Sequence, residues 1–166
     1  MAAGATYEPI ATTTLGSNTA SVTFSSITGT YTDLIIVANL GSTTTPSVCL
    51  QFNSDTGSNY SMGNLYGNGT TASSSRQSNS TQMNFNFVDP GTTVVATAIY
   101  QIMNYSNATT YKSVLGRFGN AGTGTQATVG LWRSTAAITS VKLMLDSSGP
   151  LLLSGSTFTL YGIAAA

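Results

Sequence analysis

Few residues in this chain are able to move protons, attack a substrate or hold a metal. Its 166 residues include five acids, five bases, one cysteine and no histidine. Without histidine there is no Ser-His or Cys-His pair to activate a nucleophile, and the commonest metal ligand is missing. A single cysteine cannot build a thiolate cluster within one chain. The acids Glu8, Asp33, Asp55, Asp89 and Asp146 are dispersed, whereas glycoside hydrolysis needs two carboxyls roughly 5–9 Å apart. Asp55 and Asp89 stand in turn contexts, where an Asp side chain bonds its own backbone. The run Phe52-Asn53-Ser54-Asp55-Thr56-Gly57-Ser58-Asn59 is rich in oxygen ligands but lacks the further acids and closing Glu of a calcium loop. It reads as a turn held by Asx-type bonds. Gly67-Asn68-Gly69 and Gly122-Thr123-Gly124 have no phosphate-loop lysine and also read as turns. These features predict a protein that is not an enzyme and carries no metal or cofactor.

The bases Arg76, Lys112, Arg117, Arg133 and Lys142 are scattered, so no cationic cluster exists to release counterions from a nucleic acid. No stretch of about 20 apolar residues is present to span a bilayer. The start, Met1-Ala2-Ala3-Gly4-Ala5-Thr6, lacks the basic and apolar regions of a signal peptide. Cys49, between Val48 and Leu50, reads as a small buried hydrophobe. With no disulfide framework, folding in a reducing host cytoplasm is expected. The Asn-X-Ser/Thr triplets at Asn59, Asn68, Asn79, Asn104 and Asn107 are expected by chance in a chain where Ser and Thr make up about three residues in ten, and are expected to stay unglycosylated. Charged residues are 6% of the chain and the net charge is zero. Little repulsion therefore keeps copies apart, and association is favoured.

The elements that must position these residues are strands. Short runs alternate apolar and polar residues: Ser21–Phe24, Met83–Phe87, Ser140–Leu143 and Thr157–Leu160. Leu34–Val37 is continuously apolar and suits a central strand buried on both faces. Val94–Met103 is long and β-branched enough for another. Turn signals such as Asn68-Gly69, Asp89-Pro90-Gly91 and Ser148-Gly149-Pro150 separate about nine or ten candidate strands. The pattern predicts an all-β, single-domain antiparallel β-sandwich of jelly-roll-like form over residues 10–166, preceded by an N-terminal arm over residues 1–9. The stretch Gly67–Ser80 is poor in apolar residues and reads as an exposed loop. Tyr60, Tyr66, Tyr100, Tyr105 and Tyr111 cluster in mid-sequence, and tyrosine suits interfaces and sugar sites. Tyr7, Tyr60, Tyr66 and Arg76 are the candidate interface residues.

Several segments resemble bacteriophage virion structural proteins of the kind found in aquatic phages, including those of cyanobacteria. They are Phe52 through Ser61, Leu65-Tyr66-Gly67-Asn68-Gly69, Asn104-Tyr105-Ser106-Asn107 with Tyr111-Lys112-Ser113, and Leu131 through Ser140 with the closing Tyr161-Gly162-Ile163. The resemblance runs from about Tyr7 to Ile163. It implies a virion protein, assembled in the host cytoplasm and without catalytic residues. The leading expectation is a capsid decoration or cement protein, a homo-oligomer that binds the major capsid protein or other virion subunits. The expected trimer comes from analogy. The alternative is a tail-fibre or receptor-binding tip whose loops around Asn59–Ser80 bind host carbohydrate.

Overall fold

The computed structural model describes residues 6–85, 90–92 and 95–164. Its elements are β1 (Tyr7–Thr14), β2 (Ser21–Phe24), β3 (Asp33–Leu40), β4 (Val48–Phe52), β5 (Tyr60–Gly67), β6 (Ala72–Ser80), β7 (Met83–Phe85), β8 (Ala96–Met103), β9 (Lys112–Asn120), β10 (Gly124–Trp132), β11 (Val141–Leu145) and β12 (Thr157–Ile163). Eight strands form one sheet in the order β1-β12-β3-β8-β9-β10-β5-β6, and four form a second in the order β2-β11-β4-β7. Every ladder is antiparallel. The chain crosses repeatedly between the sheets, giving the jelly-roll-like antiparallel sandwich that the alternating runs predict. Residues 86–89 and 93–94, which hold part of the Met83–Phe87 run, Asp89 and Val94, lie outside the described residues.

Period-two alternation builds the core. Leu34, Ile36, Ala38 and Leu40 of β3 point inward with Ala98, Tyr100 and Ile102 of β8, and meet Val48, Leu50 and Phe52 of β4 and Val141 and Leu143 of β11. Leu34–Val37 does occupy an interior strand, between β12 and β8.

Two expectations are corrected. Gly67–Ser80 is mostly strand: β6 pairs with β5 from Ala72 to Ser80 and forms one edge of the large sheet. A solvated edge strand gains its ladder from the backbone and needs no apolar face of its own, so its serine-rich sequence mimics a loop. Only the tip turns, where Asn68 Oδ1 accepts from the backbone N–H of Thr70 at 3.0 Å and of Thr71 at 2.7 Å. The second concerns the bound expected at residue 9. Tyr7, Glu8 and Pro9 belong to β1 and pair with Ile163, Gly162 and Tyr161 of β12, while residues 1–5 lie outside the described residues.

Candidate functional site

The outward face of the eight-stranded sheet carries exposed apolar side chains, and it arises from an inversion on two strands. On β10, Gln126, Thr128, Gly130 and Trp132 point inward, and Thr125, Ala127, Val129 and Leu131 point outward. On β5, Asn64 points inward and Leu65 outward. Leu65, Val129 and Leu131 are 65%, 62% and 36% exposed, while Asn64, Gln126 and Thr128 are 1%, 4% and 1% exposed. The buried polar groups satisfy one another. Gln126 Nε2 donates to Asn64 Oδ1 and to Thr128 Oγ1, each at 2.8 Å, and Thr128 Oγ1 donates to Asn64 Oδ1 at 2.5 Å.

Ladder register extends the outward apolar set. Val129 lies beside Gly63 of β5 and Leu115 of β9, Leu115 beside Gln101 of β8, and Gln101 beside Ile35 of β3. One residue pair along, Leu65 neighbours Ala127, then Arg117, Ile99 and Val37. Two shallow grooves cross this face. One of about 560 Å³ is lined by residues including Leu65, Ile99, Arg117 and Ala127, and one of about 400 Å³ by Gly63, Arg76, Val129 and Leu131 among others.

Of the expected interface residues, the structure brings Tyr7 and Arg76 to this face. Tyr7 is exposed at the β1 end, edge-to-face with Tyr161, and Arg76 is exposed on β6 beside Gly63. Tyr66 is half-buried, and its hydroxyl donates to the Thr123 carbonyl at 2.9 Å. Tyr60 is a correction: it is fully buried against Phe52 and Trp132. Its hydroxyl accepts from Phe52 N–H at 3.0 Å, so it offers no contact surface. Tyr100 and Tyr105 are buried too, and of the mid-sequence tyrosines Tyr111 alone is well exposed. Large aromatic faces with a hydroxyl serve a strand core as well as an interface.

The segments Phe52–Ser61, Asn104–Asn107, Tyr111–Ser113 and Leu131–Ser140 meet elsewhere, around the loop after β10. Asp55 accepts from Trp132 Nε1 at 2.7 Å, Asn59 Nδ2 at 2.9 Å and Gly57 N–H at 2.8 Å. Asn53 Oδ1 accepts from the backbone N–H of Thr139 and Ser140, and its Nδ2 donates to the Ala137 carbonyl. Arg133 donates to Ser61 Oγ, the Ser58 carbonyl and Asn79 Oδ1. These residues buckle the β4–β5 loop to the β10–β11 loop. The oxygen-rich run is therefore an Asx turn, as expected. Among the described residues no three acid, cysteine or histidine side chains come together.

Lys112 belongs to the same buckle. It is fully buried, and its Nζ donates to the carbonyls of Thr110 at 2.7 Å and Thr135 at 3.2 Å. Burial pulls its ammonium below the usual lysine range. Lys112→Ala is expected to destabilise the fold by about 2–3 kcal/mol, because it orphans two carbonyls and leaves a void. Lys112→Met fills the void and is expected to lose less. Urea midpoints of the two variants check the order. Cys49 is buried as expected, but its thiol is also hydrogen-bonded, to Asn84 Oδ1 at 3.1 Å. Burial pushes its pKa far up, with the Asp146 carboxylate adding to the shift, which leaves little reactive thiolate.

No family model and no curated protein matches the chain. Among solved structures, the galectin LEC-6 of Caenorhabditis elegans aligns over 93% of this chain and 96% of that chain, with 9% identity and a TM-score of 0.36. A likeness at that level adds nothing to the sandwich read from the strands themselves.

Proposed function

We propose that the chain is a non-enzymatic structural subunit of a phage particle, a decoration protein that binds the outer shell in many copies and stiffens it. The observation that carries the reading is the inversion on β5 and β10. A sheet that places Leu65, Val129 and Leu131 in water over buried Asn64, Gln126 and Thr128 has a surface made for contact, since wide exposed apolar patches mark interaction sites. The scarcity of charge supports it: at 6% charged residues and zero net charge, little opposes dense packing of copies. The phage address itself comes from the sequence resemblance. Of the acids, Asp55 is engaged by three donors and Glu8 accepts from the Tyr31 hydroxyl.

Many weak contacts repeated over a shell resist its opening collectively. Quantitative mass spectrometry of purified particles is therefore expected to find the subunit in copy numbers on the order of hundreds, and particles lacking it are expected to open at a lower temperature. A dozen copies per particle would move the subunit to a fibre, and absence from particles would end the reading. The receptor-tip alternative relied on open sugar-binding loops over Asn59–Ser80. Those residues are chiefly the β5–β6 hairpin, and nothing in the structure favours that alternative.

A further inference from the structure

The outward face is not uniform in charge. Strands β9, β10, β5 and β6 contain Lys112, Arg117 and Arg76 and no acid. Lys112 is turned inward and buried. Arg76 and Arg117 are exposed, and neither side chain finds a partner among the described residues. Arg133, just past β10, donates to the neutral oxygens of Ser61, Ser58 and Asn79. Aliphatic side chains lie between the two free guanidiniums. Ladder register sets Arg76 beside Gly63 and Gly63 beside Val129, and one residue pair along it sets Leu65 beside Ala127 and Ala127 beside Arg117. Three strand spacings and one two-residue step put the two arginine Cα atoms about 16 Å apart. Leu65, 65% exposed, stands on β5 between Gly63 and Gly67, where a Cβ would meet no atom within 4 Å.

We infer that this half-face is a docking surface for a segment of another protein that carries carboxylates on either side of aliphatic side chains. Three observations point to that occupant. The first is charge. Cations without counter-ions at both ends of an apolar strip are matched by an acid at each end of an apolar segment. The second is shape. The hollows beside Leu65 are filled by side chains, because the centre of a protein contact packs as densely as a protein interior. A polypeptide supplies such side chains, whereas a phosphate backbone or a fluid lipid surface does not. The third is the supply of acids. A second copy is poorly furnished, since Glu8 accepts from the Tyr31 hydroxyl, Asp33 from Asn104 N–H and Asp55 from three donors. Asp146 is exposed, but it stands beside Ser147 and Ser148 rather than aliphatic residues. An exposed arginine–carboxylate pair contributes little by itself. The apolar contact at Leu65 and Val129 therefore supplies the affinity, and the arginines set the register and the choice of partner.

The inference rests on the assembly reading only in treating this face as a contact surface. Its test uses the purified chain, so the two fail separately. The probe is a capped synthetic peptide with two glutamates about four residues apart around a central leucine, which sets all three on one face of an extended chain. Its counterparts carry glutamine or lysine in place of glutamate. In an NMR titration the glutamate peptide is expected to shift the amides of β5, β6, β9 and β10, with binding that weakens as salt is raised. Leu65→Ser is expected to weaken binding by about 10-fold, and Arg76→Gln and Arg117→Gln by about 3-fold each. Lys142→Gln makes the same charge change on β11 of the small sheet and is expected to leave binding unaltered. The decisive arm is a charge swap. The double variant Arg76→Glu/Arg117→Glu is expected to prefer the lysine peptide, a reversal that a purely structural role for the arginines would not produce. No binding at millimolar peptide, equal binding of the glutamine peptide, or a swapped variant that still prefers glutamate would each overturn the inference. So would tighter binding to phosphatidylglycerol vesicles or to duplex DNA, or sedimentation as a dimer that Leu65→Ser dissociates, since the occupant would then be of another kind. A chain that binds the peptide but is missing from particles would sink the phage assignment and leave the docking surface standing. High copy number on particles without peptide binding would do the reverse.

Discussion

Gly116→Val is expected to destabilise the protein by about 3 kcal/mol, near the upper end of what overpacking costs. Gly116 lies on β9, between Tyr100 of β8 and Thr128 of β10. A Cβ built there would overlap the ring of Phe85, at Cε1 first. That ring cannot retreat. Phe85 is buried and packs at 64° on Tyr100 with ring centroids 4.7 Å apart. Gly130 repeats the arrangement, since its Cβ would overlap Met83 Sδ. The two glycines are the seats on which β7, the edge strand of the small sheet, rests directly against the backbone of the large one. Gly63, by contrast, has open space where a Cβ would stand, so Gly63→Val is expected to leave stability within about 0.5 kcal/mol of wild type. For a domain of this length the Gly116 loss corresponds to roughly a 10 °C fall in the unfolding midpoint. Phe85→Ala in the Gly116→Val background is expected to cost much less than Phe85→Ala alone, because the valine fills part of the space the ring leaves. Additive losses in that double-mutant cycle would mean that ring and glycine do not compete for the same volume.

Most strands were legible because a half-buried strand writes its period into the chain. Ser21–Phe24, Thr157–Leu160 and the apolar Leu34–Val37 all lie in strands of the sandwich. Legibility ended where a strand had no apolar face to write. β6, Ala72–Ser80, is stabilised by its ladder to β5 rather than by burial, so its composition pointed to a loop. The candidate site was less legible still. Ala127-Thr128-Val129-Gly130-Leu131 alternates plainly, yet alternation says only that two faces differ and not which one meets water. The usual assumption puts Val129 and Leu131 in the core. Against it stand Gln126 and Asn64, which turn inward together and satisfy each other there, a pairing between distant residues that is set by the register of β5 on β10. Tyrosine misled for a related reason: Tyr60 and Tyr105 carry hydroxyls that find backbone partners inside the fold, so residues suited to an interface serve to fasten loops.

Asp55→Ala is expected to cost a comparable amount, about 3 kcal/mol, through the loss of charge-assisted hydrogen bonds and the stranding of a buried donor. Trp132 is 2% exposed, and its indole N–H points at Asp55 Oδ2 from 2.7 Å. The indole ring packs on Phe52, whose ring centroid is 5.5 Å away, and Asp55→Ala removes the side-chain acceptor of its N–H. Asp55→Asn keeps the shape and one acceptor, and is expected to lose about half as much. The charge is what distinguishes these variants, so pH separates them. Burial raises the Asp55 pKa, but the donors Asn59, Trp132 and Gly57 outweigh it and hold the carboxyl below its usual range. An unfolded Asp titrates near pH 4. Above that pH the carboxylate is ionised in both states and its contribution is complete. As pH falls through the lower folded-state value, the native side chain takes up a proton and the contribution is lost. The stability gap between wild type and Asp55→Ala is therefore expected to be widest at neutral pH and to narrow in acid, in urea titrations run at pH 7 and about pH 3. A gap that stays constant, or widens in acid, would mean that the carboxylate is not what holds the β4–β5 loop to Trp132. In that case the segment that most suggests a cation site would again have an acid free for other chemistry.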